Sequence, residues 1–390
     1  MDISQVVIIG ASLAGANAAE ELRTRGYRGA ITLVGAEEHL PYERPPLSKG
    51  VQLGEAEPDS VFLHDADWYA DNDIELLTGT PATDLDPAGH TVRVGERVLR
   101  YDRLLLCTGS RPRTLPMADE SGAEVVYLRT LDDAIRLRGK LGQRLFMIGA
   151  GWIGLEIAAA ARKAGGEVTI ADPAPLPLAR VLGPEVAQVF ADLHREHEVD
   201  LRLETTVEDI THADGTTTVL LSDGTQVGAD VLVVGIGAEP DVDLAREARL
   251  DCDNGVLVDG RLQTSDPDVF AAGDIANHDH PSLGRLRVEH WDNAIEQGRH
   301  AAGAMLGDSE PYTRQPYFFT DQYDLGMEYV GHVGRDGYDR VQIGGDLGTR
   351  TFTAYWIKDE SVLAGMHAND WDAIDTIRRV VGGPARGIPG

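Results

Sequence analysis

Short apolar runs ending in glycine alternate with stretches of helical spacing from the start of the chain. "VVIIG" (6–10) predicts a buried strand, "LAGANAAEELRTRG" (13–26) a helix with small and apolar residues on one face and a glycine stop, and "ITLVG" (31–35) the next strand. The same phrase returns as "LFMIGAG" (145–151), a helix over roughly 152–164, and "EVTIAD" (167–172). Two copies of one βαβ unit predict an α/β chain with two doubly wound, Rossmann-like nucleotide-binding domains.

Other patterns fill the rest. "HTVRVGERVLRYDRLLLCTG" (90–109) alternates like antiparallel strands and ends in a buried run, and "TTTVLLSDGTQVGADVLVVGIG" (216–237) repeats that design around a hairpin turn at Asp223-Gly224. "DVFAAGD" (268–274) is a further buried strand, with a helix expected from about residue 290. From about 312 the strands "DRVQIGG", "RTFTAYWI" and "SVLAGMHA" and a helix near 371–381 predict a C-terminal α+β domain. The expected division is 1–112 with 236–311, then 113–235, then 312–382, and a mobile tail over 383–390.

A chain of 390 residues suits several domains rather than one core. Its formal net charge of −29 argues against nucleic-acid binding. No apolar run is long enough for a membrane span, and Met1 leads into "VVIIG" without a basic region or cleavage site, so a cytoplasmic protein is expected. Cys107 and Cys252 form no C-x-x-C pair, which leaves no disulfide framework, no metal signature and no dithiol centre.

The glycine turns carry the first chemistry. "GAGWIG" (149–154) is a complete G-x-G-x-x-G: Gly149 for the tight turn, Gly151 for close approach of a pyrophosphate, Gly154 for helix–strand packing, with Ile153 at the helix start. Asp172, ending the next strand, suits a ribose 2′-OH and repels a 2′-phosphate; NADH over NADPH follows, with Arg180 as the nearby residue that argues the other way. "GASLAG" (10–15) keeps Gly10, Leu13, Ala14 and Gly15 but has Ser12 at the second glycine. The acidic position there holds Ala36, leaving Glu37 for the ribose. Two nucleotide folds imply two cofactors, NADH and an FAD that receives its hydride. "PYERPPLSKG" (41–50) adds Arg44 and Lys49, two cations in a proline-stiffened loop that cannot be the body of a helix.

The motifs "PYERPPLSKG", "LLLCTGSRPR", "VYLRTLDDA", "GAGWIGLE", "VVGIGAEPD", "VFAAGD", "RVEHWDNA" and "FFTDQYDLG", spread from residue 5 to about 380, resemble those of the FAD-dependent ferredoxin reductases of bacterial oxygenase systems. That resemblance implies a glutathione-reductase-like fold in which 1–112 with 236–311 binds FAD and 113–235 binds NADH. It implies an enzyme that passes electrons singly to a [2Fe–2S] ferredoxin serving a cytochrome P450 or a ring-hydroxylating dioxygenase. By the same likeness Arg44 and Lys49 serve the flavin, with Lys49 paired to Glu156. Asp274, Thr108, Gly109, Arg129, Ala82, Trp291 and Phe319 join the FAD site, and Glu289 and Gly237 lie near the nicotinamide. "VEHWDNA" also resembles the apoptosis-inducing-factor branch, so the alternative is an NADH-binding redox-sensing flavoprotein. A disulfide reductase or peroxidase would need a cysteine where the proline loop stands. Because such ferredoxins are usually acidic, Arg314, Arg335 and Arg340 are the expected docking cations of the C-terminal domain.

Overall fold

The computed structural model describes residues 3–334 and 337–388, and the chain divides into two compact units. The first runs to Glu43 and adds Val61–Arg111 and Glu239–Pro316; the second comprises Arg44–Ser60, Pro112–Ala238 and the chain from Tyr317 onward.

In the first unit, strands Val269–Ala271, Arg103–Leu106, Gln5–Ile9, Ala30–Val34 and Ile74–Leu77 form one sheet in that order, all parallel. Their near-continuous apolar sequences fit this, because a parallel sheet is covered on both faces; Val6, Val7, Ile8, Leu104 and Leu105 are fully buried. Helices Leu13–Thr24 and Trp291–Met305 pack closely, since a methyl group at Gly298 would lie 2.3 Å from the Ala14 carbonyl. A meander of Ala82–Asp86, Thr91–Val94 and Arg97–Arg100 provides the expected antiparallel strands. Strands Val256–Val258, Ala276–His280 and Gly284–Arg287 make a third small sheet.

The second unit repeats the parallel design with Asp200–Leu203, Glu167–Asp172, Arg144–Ile148, Val231–Val234 and Val125–Val126. Asp223-Gly224 turns the hairpin of Thr216–Leu221 and Gln226–Ala229. The helix Ala179–Glu196 bends at Gly183, whose φ of +72° precedes Pro184. From Tyr317 a five-stranded antiparallel sheet follows, in the order Tyr317–Gln322, Leu325–Gly331, Ser361–Ala368, Thr351–Lys358, Arg340–Asp346, with helix Ile374–Val380 against it. Its first two strands are additional to those expected. This sheet shares a core with the second nucleotide fold: Met327, Tyr329 and Trp356 are buried with Leu155, Ile157 and Phe190, and Trp356 Nε1 donates to the Leu182 carbonyl at 3.2 Å.

Two expectations are corrected. Pro45–Ser48 is a short 3₁₀ helix that runs into Gly50–Leu53; the prolines open it, where a backbone donor is not needed. The tail, expected to be mobile, is tied as far as Ile388: Val362 N donates to Gly383 O at 2.9 Å, Ala385 N donates to Glu360 O at 2.7 Å, and Ala385 is buried. Among the described residues no helix is long and apolar enough to cross a membrane.

Candidate functional site

In the first unit the glycine turn sits at the carboxyl ends of adjacent parallel strands, the place where open α/β sheets bind ligands. Gly10 has φ +115°, and a methyl group there would lie 2.1 Å from the Cys107 carbonyl; one at Gly15 would lie 2.1 Å from the Gly10 carbonyl. Only glycine permits both approaches. Ser12 is the helix N-cap, but its hydroxyl makes no capping hydrogen bond, and the first helical turn of Leu13, Ala14 and Gly15 carries no acid. These amides and the helix dipole are therefore open to an anion such as a pyrophosphate.

Two further strand ends meet this turn. Thr108 Oγ1 donates to the Asp241 carbonyl at 2.6 Å, and the Gly109 carbonyl accepts from Asp241 N at 2.9 Å. Gly273-Asp274 ends Val269–Ala271, with Gly273 packed on the Ala14 methyl. The Asp274 carboxylate accepts from Ser110 Oγ at 2.8 Å, and its carbonyl from Arg287 Nη1 at 3.0 Å. Ser110 and Arg287 were missed by the sequence reading, although Ser110 lies inside "LLLCTGSRPR". Ala36 is exposed, and Glu37 accepts a hydrogen bond from the Tyr42 hydroxyl. Ala82 opens the meander, Trp291 begins its helix half-buried, and Glu289 accepts from Arg287 at 2.5 Å.

The second unit has a matching turn. Gly149 has φ +106° and sits against the Gly235 carbonyl, where a methyl group would approach to 2.4 Å; at Gly154 it would meet the Gly149 carbonyl at 2.5 Å. Gly151 differs, because its nearest neighbour would be the Gly235 carbonyl at 3.9 Å. The fold does not need glycine there, so its smallness serves whatever approaches from outside, and the same freedom accounts for Ser12 in the first copy. Gly151 caps Trp152–Lys163 without a side-chain hydrogen bond, and no acid occupies the first turn. Asp172 closes on the turn, its oxygens accepting from Ala150 N at 2.7 Å and Ala174 N at 2.8 Å. Ile153 is exposed at the mouth, Gly237 (φ +104°) accepts from Arg113 N at 2.9 Å, and Arg180 is exposed at the start of its helix. Both turns thus fit a dinucleotide.

The proline segment, expected with the first fold, packs in the second unit. Lys49 Nζ donates to Glu156 Oε1 at 2.6 Å, with the two side chains 17% and 4% exposed. Thr320 Oγ1 donates to the same oxygen at 2.6 Å and Ser48 Oγ to Oε2 at 2.5 Å. Lys49 Nζ lies 5.3 Å from the Phe319 ring centroid, and the Arg44 guanidinium donates to the Arg129 carbonyl. Burying a carboxylate this deeply is costly without such partners. Ser48 and Thr320 had no signal in the sequence beyond standing next to named residues.

Arg314 precedes the C-terminal sheet, belongs to the first unit and binds Asp292 through two hydrogen bonds of 2.7 and 2.6 Å. Arg340 pairs with Glu360 at 2.6 Å. Arg335 lies outside the described residues. Cys107 is buried in the first core, which pushes its thiol up, and Cys252 is likewise raised by burial; both are free.

Comparison with known proteins places this geometry. Residues 4–298 match the family model described as pyridine nucleotide-disulphide oxidoreductase, and residues 317–386 the one described as reductase C-terminal. The chain is 40% identical to putidaredoxin reductase of Pseudomonas putida, covering 96% of this chain and 89% of that protein. It is 38% identical to the ferredoxin–NAD(+) reductase component of the anthranilate 1,2-dioxygenase system of Burkholderia cepacia, covering 100% and 97%. A covalent putidaredoxin reductase–putidaredoxin complex superposes with a TM-score of 0.93 at 38% identity, covering 97% of this chain and 93% of the reductase.

Proposed function

The chain belongs to the pyridine nucleotide-disulphide oxidoreductase family, and from that premise we propose that it is an FAD-dependent NADH:ferredoxin reductase. It supplies a [2Fe–2S] ferredoxin that serves a cytochrome P450 or a ring-hydroxylating dioxygenase. The observation that carries the reading is the pair of glycine cradles in one chain whose two cysteines are both free. With no dithiol to accept electrons, they must leave from a flavin to an external carrier.

FAD, when bound, takes a hydride from NADH and hands electrons on singly. The residues bind and orient. We assign 1–112 with 236–311 to FAD and 113–235 to NADH. Uncapped amides after Ser12 and Gly151 take the pyrophosphates, Asp274 and Glu37 the FAD chain and ribose, and Asp172 the NADH ribose. Lys49, held by Glu156, and Arg44 supply fixed positive charge to the flavin, while Phe319 supplies an aromatic face. A cytoplasmic location follows from NADH as donor and suits two free thiols.

The purified protein should be yellow with one FAD per chain, and NADH-dependent cytochrome c reduction should require added [2Fe–2S] ferredoxin. A colourless protein that FAD cannot reconstitute would refute the reading. Sluggish flavin reduction with a long-lived charge-transfer complex in stopped-flow would favour the redox-sensing alternative.

A further inference from the structure

Glu156 is the end of a longer line of buried groups. Thr320 Oγ1 donates to Glu156 and itself accepts from Gln322 Nε2 at 3.2 Å. That leaves Gln322 Oε1 as the acceptor for His194 Nε2, 2.9 Å away. His194 therefore carries a proton on Nε2, and burial, which lowers its pKa from 6.5 to about 4, keeps the ring neutral. Its Nδ1 is buried with no partner among the described residues. Glu156, Thr320, Gln322 and His194 are 4, 1, 1 and 0% exposed. Every donor in the line points toward Glu156, so each bond polarises the next and the carboxylate gains at the end.

We propose that Thr320, Gln322 and His194 are positioning residues that hold the Glu156 carboxylate in place against Lys49. The proposal rests on the reading that this pair serves the flavin. A line of uncharged groups does this without adding a second charge near the pair. The other charged groups facing its two ends are Lys49 and Asp321, the latter beside Glu328, and His197 beside His194. If the Thr320 hydroxyl is lost, Glu156 Oε1 loses the donor that ties it to the line, and the carboxylate is held less firmly toward Lys49.

The test is the midpoint potential of the bound FAD at neutral pH, measured by spectroelectrochemistry on the holoprotein. Glu156→Gln removes the carboxylate and should raise the potential. Thr320→Val, nearly isosteric, should shift it part of the way toward the Glu156→Gln value. Thr320→Ser should restore the native potential, and Gln322→Met, which leaves Glu156 untouched, should give a smaller shift of the same sign. Native potentials for Thr320→Val and Gln322→Met, with Glu156→Gln still shifted, would overturn the proposal alone. An unshifted Glu156→Gln would overturn the flavin reading and the proposal with it.

Discussion

His194 makes the second unit acid-sensitive in a calculable way. Its imidazole is fully buried, and burial depresses its pKa from 6.5 to about 4; the bond to Gln322 works in the opposite direction and His197 adds slightly to the depression. In the unfolded chain the ring takes a proton near pH 6.5, whereas in the folded chain it does not until near pH 4. The contribution is complete above the unfolded pKa and is lost as pH falls between the two values, because there the unfolded state binds the extra proton. At 1.36 kcal/mol per pH unit the loss approaches about 3 kcal/mol at pH 4. His194→Gln keeps a donor for Gln322 and removes the titration. Hydrogen exchange should be followed on the amides of Ala179–Glu196 and Tyr317–Gln322, corrected for intrinsic rates, at neutral pH and near pH 4.5. The native protein should lose protection relative to the variant by a factor on the order of tens. Parallel losses in the two proteins would show that His194 is not the titrating group.

Gly154→Ala should raise the KM for NADH at least about tenfold, since the new methyl would meet backbone at 2.5 Å. FAD content, which the proposed assignment gives to the other glycine turn, should be unchanged, as the flavin-to-protein absorbance ratio will show. Asp172→Ala should cut the ratio of kcat/KM for NADH over NADPH by about tenfold, and should also weaken NADH itself, because Ala150 N of the glycine turn loses its acceptor. With a net charge of −29 and with Arg314 and Arg340 already paired, reduction of an acidic ferredoxin should quicken as salt rises. Arg340→Glu should leave its KM nearly unchanged; a steep slowing with salt in stopped-flow would restore the basic-patch idea.

The two nucleotide folds were legible because each demands a short apolar strand, a glycine that alone can pass a carbonyl, and a helix of small residues, all within about thirty residues. Tertiary chemistry was not legible in the same way. Thr320 and Ser48 reach Glu156 across 164 and 108 residues, and nothing local marks them. "YFFTDQ" escaped notice as a strand because its apolar residues are consecutive, with Phe318 and Phe319 on opposite faces. The ion pairs of the arginines were hidden for the converse reason. A cation in sequence has no visible partner, yet Asp292 lies 22 residues from Arg314 and Glu360 lies 20 from Arg340.

The repeat itself separates what the fold requires from what the chemistry requires. Counted from the first glycine of each turn, Gly10 corresponds to Gly149, Ser12 to Gly151, Gly15 to Gly154, and Asn17 to Glu156. The first and third positions are glycine in both copies and face backbone in both, so the fold fixes them. The second varies where the backbone leaves room. At the fourth, Asn17 is buried and satisfied within its own helix, donating to the Leu13 carbonyl at 2.8 Å. A buried acid at that point is therefore no need of the βαβ architecture, and burying one without partners would cost several kcal/mol. The second copy carries it with Lys49, Ser48 and Thr320 converging from two other places in the chain. Such convergence on a position the fold leaves free is what distinguishes Glu156 as a residue kept for its charge.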